Sequence, residues 1–421
     1  MRHGWNVLVI CVFWVLNASG QTPSPTQLIR DVRVFDGERV LDHQDVLLEN
    51  GKISKLATTG ISAPNAEVID GKGRTLLPGL IDAHVHIVDR AEDAARQALK
   101  LGVTTQLDMF SGGERMKKIK TIEADDPPDV SDLRTAGVGA TVPGGHPTQM
   151  GGPSFPTITG PEQAQEFVDA RIAEGSDYIK IIHDDGSTWN WTTKRVAMLD
   201  NRTMRALVEA AHKRGKLAVV HALSEQQARD AIEAGADGLV HIFTGEKLSG
   251  DFGEFAASHR VFIIPTLSTI YLDCGKSEGP ALAADARLMG SVEPGGERML
   301  KMAEADPSKA HYCNATGEAM HQLIEHHVPI LAGTDAPAPG TTYGVALHGE
   351  LKLLVGAGMM PSAALAAATS VPASKFRLSD RGWVKPGMRA DLLLVDGDPT
   401  KNILDTRNIV AVWKRGVRVQ R

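Results

Sequence analysis

The sequence predicts an α/β chain, a (β/α)8 barrel of the TIM type flanked by a small β-sandwich made from the N- and C-terminal segments. Three observations predict it. Through the middle of the chain, eight short apolar strands alternate with helical stretches. Both ends are instead rich in strands and tight turns. Chemistry-bearing polar residues close several of the middle strands, which is where a β/α barrel carries its site. A doubly wound open sheet is the alternative, weakened by the lack of a Gly-rich phosphate loop after the first strand.

The elements follow in order. Residues 1–20 read as a signal peptide: Arg2 and His3 are a basic start, Val7 to Leu16 is apolar, and Ala18-Ser19-Gly20 is a small-residue cleavage site. Gln21 would begin a mature chain that is periplasmic or secreted. No Cys follows the apolar stretch, which argues against a lipid anchor. Residues 21–75 form the N-terminal part of the sandwich. Leu28 to Phe35 is a strand, and Val46 to Ile53 is a hairpin turning at Asn50-Gly51. Residues 76–380 form the barrel. Its strands are read at Leu76–Ile81, Val103–Met109, Thr135–Thr141, Tyr178–Ile182, Leu217–His221, Leu239–Phe243, Val261–Leu267 and Pro329–Gly333. Helical spacing of Ala91, Ala94, Ala95 and Ala98, of Ala164, Phe167, Val168 and Ile172, and of Met204, Leu207, Val208 and Ala211 supplies helices between them. Gly102, Gly175, Gly215 and Gly235 stand where four helices should end in a left-handed residue. Residues 381–421 complete the sandwich, with a strand at Ala390–Val395 and a hairpin from Ile409–Trp413 to Val417–Val419.

Composition excludes several classes. The 421 residues are 42% hydrophobic and 23% charged, with a formal charge of −6. That balance argues against a dedicated nucleic-acid binder. No apolar run reaches the roughly 20 residues of a membrane span. Cys274 and Cys313 remain after the leader and make no disulfide framework; they can pair in an oxidising compartment or be buried as small apolar residues.

The chemistry sits at strand ends. In Asp82-Ala83-His84-Val85-His86, two imidazoles two positions apart share one strand face and can grip one metal ion. Lys180 shares a face with Tyr178 and Ile182, which in a barrel strand points inward. A buried ammonium loses its proton more readily, and the neutral amine can combine with carbon dioxide to give a carbamate. His221 and His241 each close an apolar strand, and Asp335 follows the eighth. A carboxylate there can bind metal and accept a proton from water. His146, in Pro143-Gly144-Gly145-His146-Pro147, can polarise a carbonyl or bind a substrate carboxylate, and Tyr178 can contact substrate or only fill the barrel. His183-Asp184-Asp185 read first as solvated loop charges, with a role in metal or substrate binding as the alternative. Thr266 and His348 are lesser candidates, and Trp189 and Trp191 can form an aromatic lid or pack on another subunit.

The order His-x-His, Lys, His, His, Asp on strand ends one, four, five, six and eight resembles the amidohydrolase superfamily in its two-metal form. The C-terminal Gly387-Met388-Arg389-Ala390-Asp391 adds to the likeness, which covers the whole mature chain. Within the superfamily the chain resembles the imidazolonepropionase-like group, with its Xaa-Pro and Xaa-Arg dipeptidases and ochratoxin hydrolases. The resemblance implies that His84, His86 and Asp335 hold the more buried of two divalent metal ions. It implies that carboxylated Lys180 bridges and that His221 and His241 hold the second ion. It further implies that a metal-bridging hydroxide attacks the carbonyl while Asp335 moves the proton, and that the protein is a homo-oligomer. Zinc suits these ligands, as do manganese, cobalt and iron. The expected substrate is a small peptide or N-acyl amino acid. Cyclic amides, lactones and other esters are the alternative, and a metal-free scaffold protein is the reading from another class.

Overall fold

The computed structural model describes residues 25–421, apart from 89, 153, 190–193, 246 and 304–305. The expected leader and Trp191 lie outside the described residues. The chain opens with β1 (Gln27–Phe35), β2 (Val40–Glu49), β3 (Lys52–Thr58), β4 (Glu67–Asp70) and β5 (Arg74–Pro78). The middle carries β6 (Leu80–Val85), β7 (Val103–Asp108), β8 (Asp132–Thr135), β9 (Ile179–Ile182), β10 (Ala218–His221), β11 (Gly238–Val240) and β12 (Phe262–Ile264). The end supplies β13 (Leu392–Asp396), β14 (Ile409–Lys414) and β15 (Val417–Arg418).

The two ends share one eight-stranded sheet, ordered β15-β14-β13-β5-β1-β2-β3 with β4 beside β1. Its hairpins turn where the sequence offers left-handed residues. Asn50 and Gly51 have φ of 52° and 76°, and Arg415 and Gly416 have 51° and 74°. β5 meets β13 antiparallel, with Leu76 opposite Leu394, so the last segment locks onto the first. Ile29, Val34, Leu76, Leu394 and Trp413 fill this sheet's own core.

The middle strands pair in parallel as β6-β7-β8 and as β12-β11-β10-β9. Single parallel bridges link the two groups: Ala140 to Ile181, Ile263 to Ile330, and Ala336 back to Val85. The path of pairing therefore returns to β6. Alternation along the strands sorts the side chains. Ile179, Ile181, Ala218 and Val220 face the helices, whereas Tyr178, Val219, Phe262 and Ile264 belong to a separate cluster. Helices Ala91–Lys100, Ala164–Glu174, Asn201–Lys213 and Glu225–Glu233 cover the outside. Gly102, Gly175, Gly215 and Gly235 follow them with φ of 85°, 104°, 68° and 92°, the left-handed stops expected.

Three strands differ most from the sequence reading. The apolar run Leu76–Ile81 is two strands in two sheets, broken at Pro78-Gly79. A Cβ on Gly79 would sit 2.3 Å from Thr104 Oγ1, so only glycine lets the chain cross here against β7. β8 ends at Thr135, and the rest of Thr135–Thr141 pairs only at Ala140. Pro329–Gly333 forms no regular strand; Ile330 makes one bridge and the backbone then bends to carry Asp335.

Cys274 and Cys313 are joined by a disulfide, with Cα atoms 5.6 Å apart. It closes the long connection that leaves the C-terminal end of β12. Among the described residues, no helix is long and apolar enough to cross a membrane.

Candidate active site

The strand ends bring the expected residues together. His84 lies on β6, buried, and His86 follows it. Their Nε2 atoms are 3.2 Å apart, and each lies close to Asp335 Oδ1, at 3.2 Å and 3.1 Å. His241, at the end of β11, packs its ring 4.9 Å from that of His84. The ring of His221, closing β10, lies 4.6 Å from His241 and 5.0 Å from His146. Lys180 is 3% exposed, and its Nζ finds no hydrogen-bond partner among the described residues.

Backbone and buried acids aim these groups. Asp335 and His241 are held at left-handed φ of 59° and 74°, conformations that side-chain-bearing residues adopt only under constraint. Asp82 supplies part of that constraint. Its carboxyl accepts from the backbone N–H and hydroxyl of Thr334, at 3.1 Å and 2.8 Å, directly before Asp335. Thr266 Oγ1 lies 2.7 Å from His241 Nδ1, fixing that ring from behind. Asp108, buried at the end of β7, accepts from the Ile87 backbone at 2.8 Å and braces the chain just past His86.

Burial sets the protonation states. It pushes the pKa of His84 down to about 3 and drives that of His241 well below its usual value, so both rings are neutral. Neutral imidazole is the metal-ligating form. Burial likewise lowers Lys180 to about 7, which populates the free amine near neutral pH. Burial works against ionisation of Asp335, but the adjacent His84 and the hydrogen bonds from His84 and His86 outweigh it and hold its pKa well below the usual carboxylate value.

The donor set fits a metal centre. His84, His86 and Asp335 offer ligand atoms that all lie within 4.8 Å of one another. A buried amine without a partner is costly unless it is modified or paired with an anion.

Other candidates fall differently. Tyr178 does not reach the cluster: its hydroxyl donates to the Asp108 carbonyl at 2.8 Å and its ring packs on Phe376, so it fills the interior. His348 is remote, with its ring nitrogens 3.1 Å from Thr406 Oγ1 and 3.0 Å from the Leu101 carbonyl. The expectation of solvated charges at His183 and Asp184 is corrected, because both are buried. His183 Nε2 lies 3.6 Å from Asp230, while Asp184 turns inward to His221. Trp189 is neither a free lid nor exposed; its ring stands 5.3 Å from His146, and Gln149 Nε2 approaches His146 Nδ1 at 2.6 Å.

Sequence reasoning gave no role to Asp82 or Asp108. Signals existed for both: Asp82 continues the two-residue spacing of His84 and His86, and Asp108 stands at the end of the second strand.

Residues 75–419 match the model of the amidohydrolase family. The chain is 22% identical over 404 residues to the imidazolonepropionase of Geobacillus kaustophilus, covering 84% of each chain. It is 45% identical over 60 residues to the dihydroorotase of Bacillus cytotoxicus, a match spanning only 14% of each. Among solved structures, a Xaa-Pro dipeptidase with methionine bound in its active site superposes with a TM-score of 0.75 at 22% identity, covering 94% of this chain and all of that one.

Proposed function

The chain belongs to the amidohydrolase family, and from that premise we propose that it is a metal-dependent hydrolase of amide bonds in small peptides or N-acyl amino acids. The observation that carries the reading is the convergence of His84, His86 and Asp335 beside His241, His221 and Lys180, whose Nζ has no partner among the described residues. His84, His86 and Asp335 would hold one divalent ion, His221 and His241 a second, and Lys180, carboxylated by carbon dioxide, would bridge. Zinc is the first choice. Such ions polarise a carbonyl and lower the pKa of water.

The chain's own residues do the rest. Asp335 takes the proton of the attacking water on its carboxylate and delivers it to the leaving nitrogen. His146, beside His221, polarises the carbonyl or receives the substrate carboxylate. Asp82 and Thr334 keep Asp335 aimed, so the proton moves between fixed atoms.

The setting is a β/α barrel of residues 76–380 with a sandwich from 21–75 and 381–421, supported by the pairing path that returns to β6. The leader would send the mature chain to the periplasm or outside the cell, and the disulfide fits an oxidising compartment. A homo-oligomer without nucleic-acid partners or a stable membrane anchor completes the reading.

A second reading is hydrolysis of cyclic amides, lactones or other esters. The likeness to an imidazolonepropionase and a dihydroorotase favours it. The test is a panel of dipeptides, N-acyl amino acids, cyclic amides and lactones, with zinc and bicarbonate supplied and Asp335→Asn as control. Turnover of open-chain amides that vanishes in the control supports the first reading. Turnover of rings alone supports the second. Protein that binds no metal when purified without chelator overturns both.

A further inference from the structure

The connection between β9 and the helix Asn201–Lys213 carries a buried carboxylate that the reaction outlined above leaves unused. Asp184 is 1% exposed. Its Oδ2 lies 3.1 Å from His221 Nε2 and accepts the indole N–H of Trp189 at 2.9 Å. Its Oδ1 accepts the backbone N–H of Gly186 at 2.8 Å. The Trp189 ring leans against Gly186, where even a Cβ would come within 2.9 Å, and makes an edge contact with His146 at 5.3 Å between ring centroids. Asp184 is therefore clamped by three donors, one of which is the imidazole expected to bind the second metal.

An acceptor-only carboxylate at Nε2 requires that nitrogen to carry the proton. That contact takes up Nε2 and leaves Nδ1 as the nitrogen of His221 available to a metal ion. His241 shows the complementary arrangement. There Thr266 Oγ1 meets Nδ1, leaving Nε2 as its ligand atom. Metal-binding imidazoles commonly have such a partner on the other nitrogen, which fixes both tautomer and ring orientation.

We propose that Asp184 is a positioning residue that, itself locked by Trp189 and Gly186, presents Nδ1 of His221 to the second metal ion. The proposal rests on the reading of His221 as a ligand. It also gives Trp189 a role, as the fixed brace of a ligand rather than a mobile cover.

The test is metal affinity of the purified full chain, read by competition against a chromophoric chelator. Visible absorption of the cobalt-substituted protein gives the coordination signature, and thermal melts check the fold. Asp184→Ala should weaken the second ion about 10- to 100-fold and leave the first in place. Asp184→Asn keeps an acceptor oxygen at His221 and should recover part of that loss. Trp189→Phe removes only the indole N–H and should give a smaller loss in the same direction. In the double variant Asp184→Ala with His221→Ala, the loss should equal that of His221→Ala alone, because residues that act through one another are not additive.

Unaltered second-ion affinity in Asp184→Ala, or full additivity with His221→Ala, overturns the positioning role. Unaltered metal content in His221→Ala alone overturns the ligand reading as well, so the two failures are told apart by that single variant.

Discussion

Breaking the bond between Cys274 and Cys313 is the perturbation whose size follows most directly from the fold. The two cysteines are 39 positions apart, and the loop between them holds the short helices Gly279–Ala283, Ala286–Met289 and Pro294–Lys301. For a closed loop of that length the chain-entropy relation gives about 4 kcal/mol at 25 °C. The folded loop stays tied without the bond, because Asp306 donates its backbone N–H to Gly275 at 2.9 Å and Gly245 donates to Tyr312 at 2.7 Å. The loss therefore falls mainly on the unfolded side of the balance. Native distortion and residual structure usually shrink it, so the expected cost is about 2–4 kcal/mol. With a denaturant slope of about 3 kcal/mol/M, the urea midpoint should fall by about 1 M. The assay compares the oxidised chain, the same chain in reductant, and the double variant Cys274→Ala with Cys313→Ala. Limited proteolysis should also begin within residues 275–312 in the last two. Equal midpoints and equal protease resistance with and without reductant would refute the reasoning.

Three further outcomes are expected. Lys180→Ala should lose most of the bridging-metal occupancy and most activity, with partial recovery on adding a short carboxylic acid; full activity without such an acid would remove the carbamate from the account. Thr266→Val keeps the shape but removes the partner of His241 Nδ1, and should weaken metal binding about 10-fold or more in a chelator competition with little change in melting temperature. Glu350 is fully buried, accepts from Leu267 and Ser268, and is pushed by burial up to about 7 from an ordinary 4.5. Between those values the folded form holds a proton that the unfolded form has released, so stability falls as pH rises through that window. Relative to Glu350→Gln, the wild type should lose up to about 3 kcal/mol between pH 4.5 and 7, read by urea unfolding at pH 5 and pH 8; a pH-independent difference would contradict the assignment.

Much of the site was legible because its chemistry interrupts apolar strands. A histidine after Leu217-Ala218-Val219-Val220, or an aspartate after Ile330-Leu331-Ala332-Gly333-Thr334, stands out against its neighbours. Asp184 does not stand out. Two adjacent aspartates after a strand look solvated until His221, in the next strand, turns one of them inward. Of the two readings open for Tyr178, the structure takes packing, since facing the interior does not place a side chain at the open end of the strand. The split of Leu76–Ile81 carried a local sign in Pro78-Gly79, yet the crossing is decided by Thr104 on another strand. The segment around Ile330 has strand composition, but single bridges and a left-handed Asp335 shape it instead.

The joining of β5 to β13 bears on how the chain reaches its native state. The Thr75 hydroxyl donates to the Gly397 carbonyl 322 positions away. A growing polypeptide thus makes its earliest strands long before their neighbour exists. Contacts this distant in sequence slow folding and prolong the exposure of unpaired edges. For the time of synthesis, Leu76 and Leu77 have no partner strand on one side. Such a chain gains from being kept unfolded until it is whole. It also follows that a version ending before Leu392 should aggregate through its N-terminal strands while every residue of the metal cluster is still encoded.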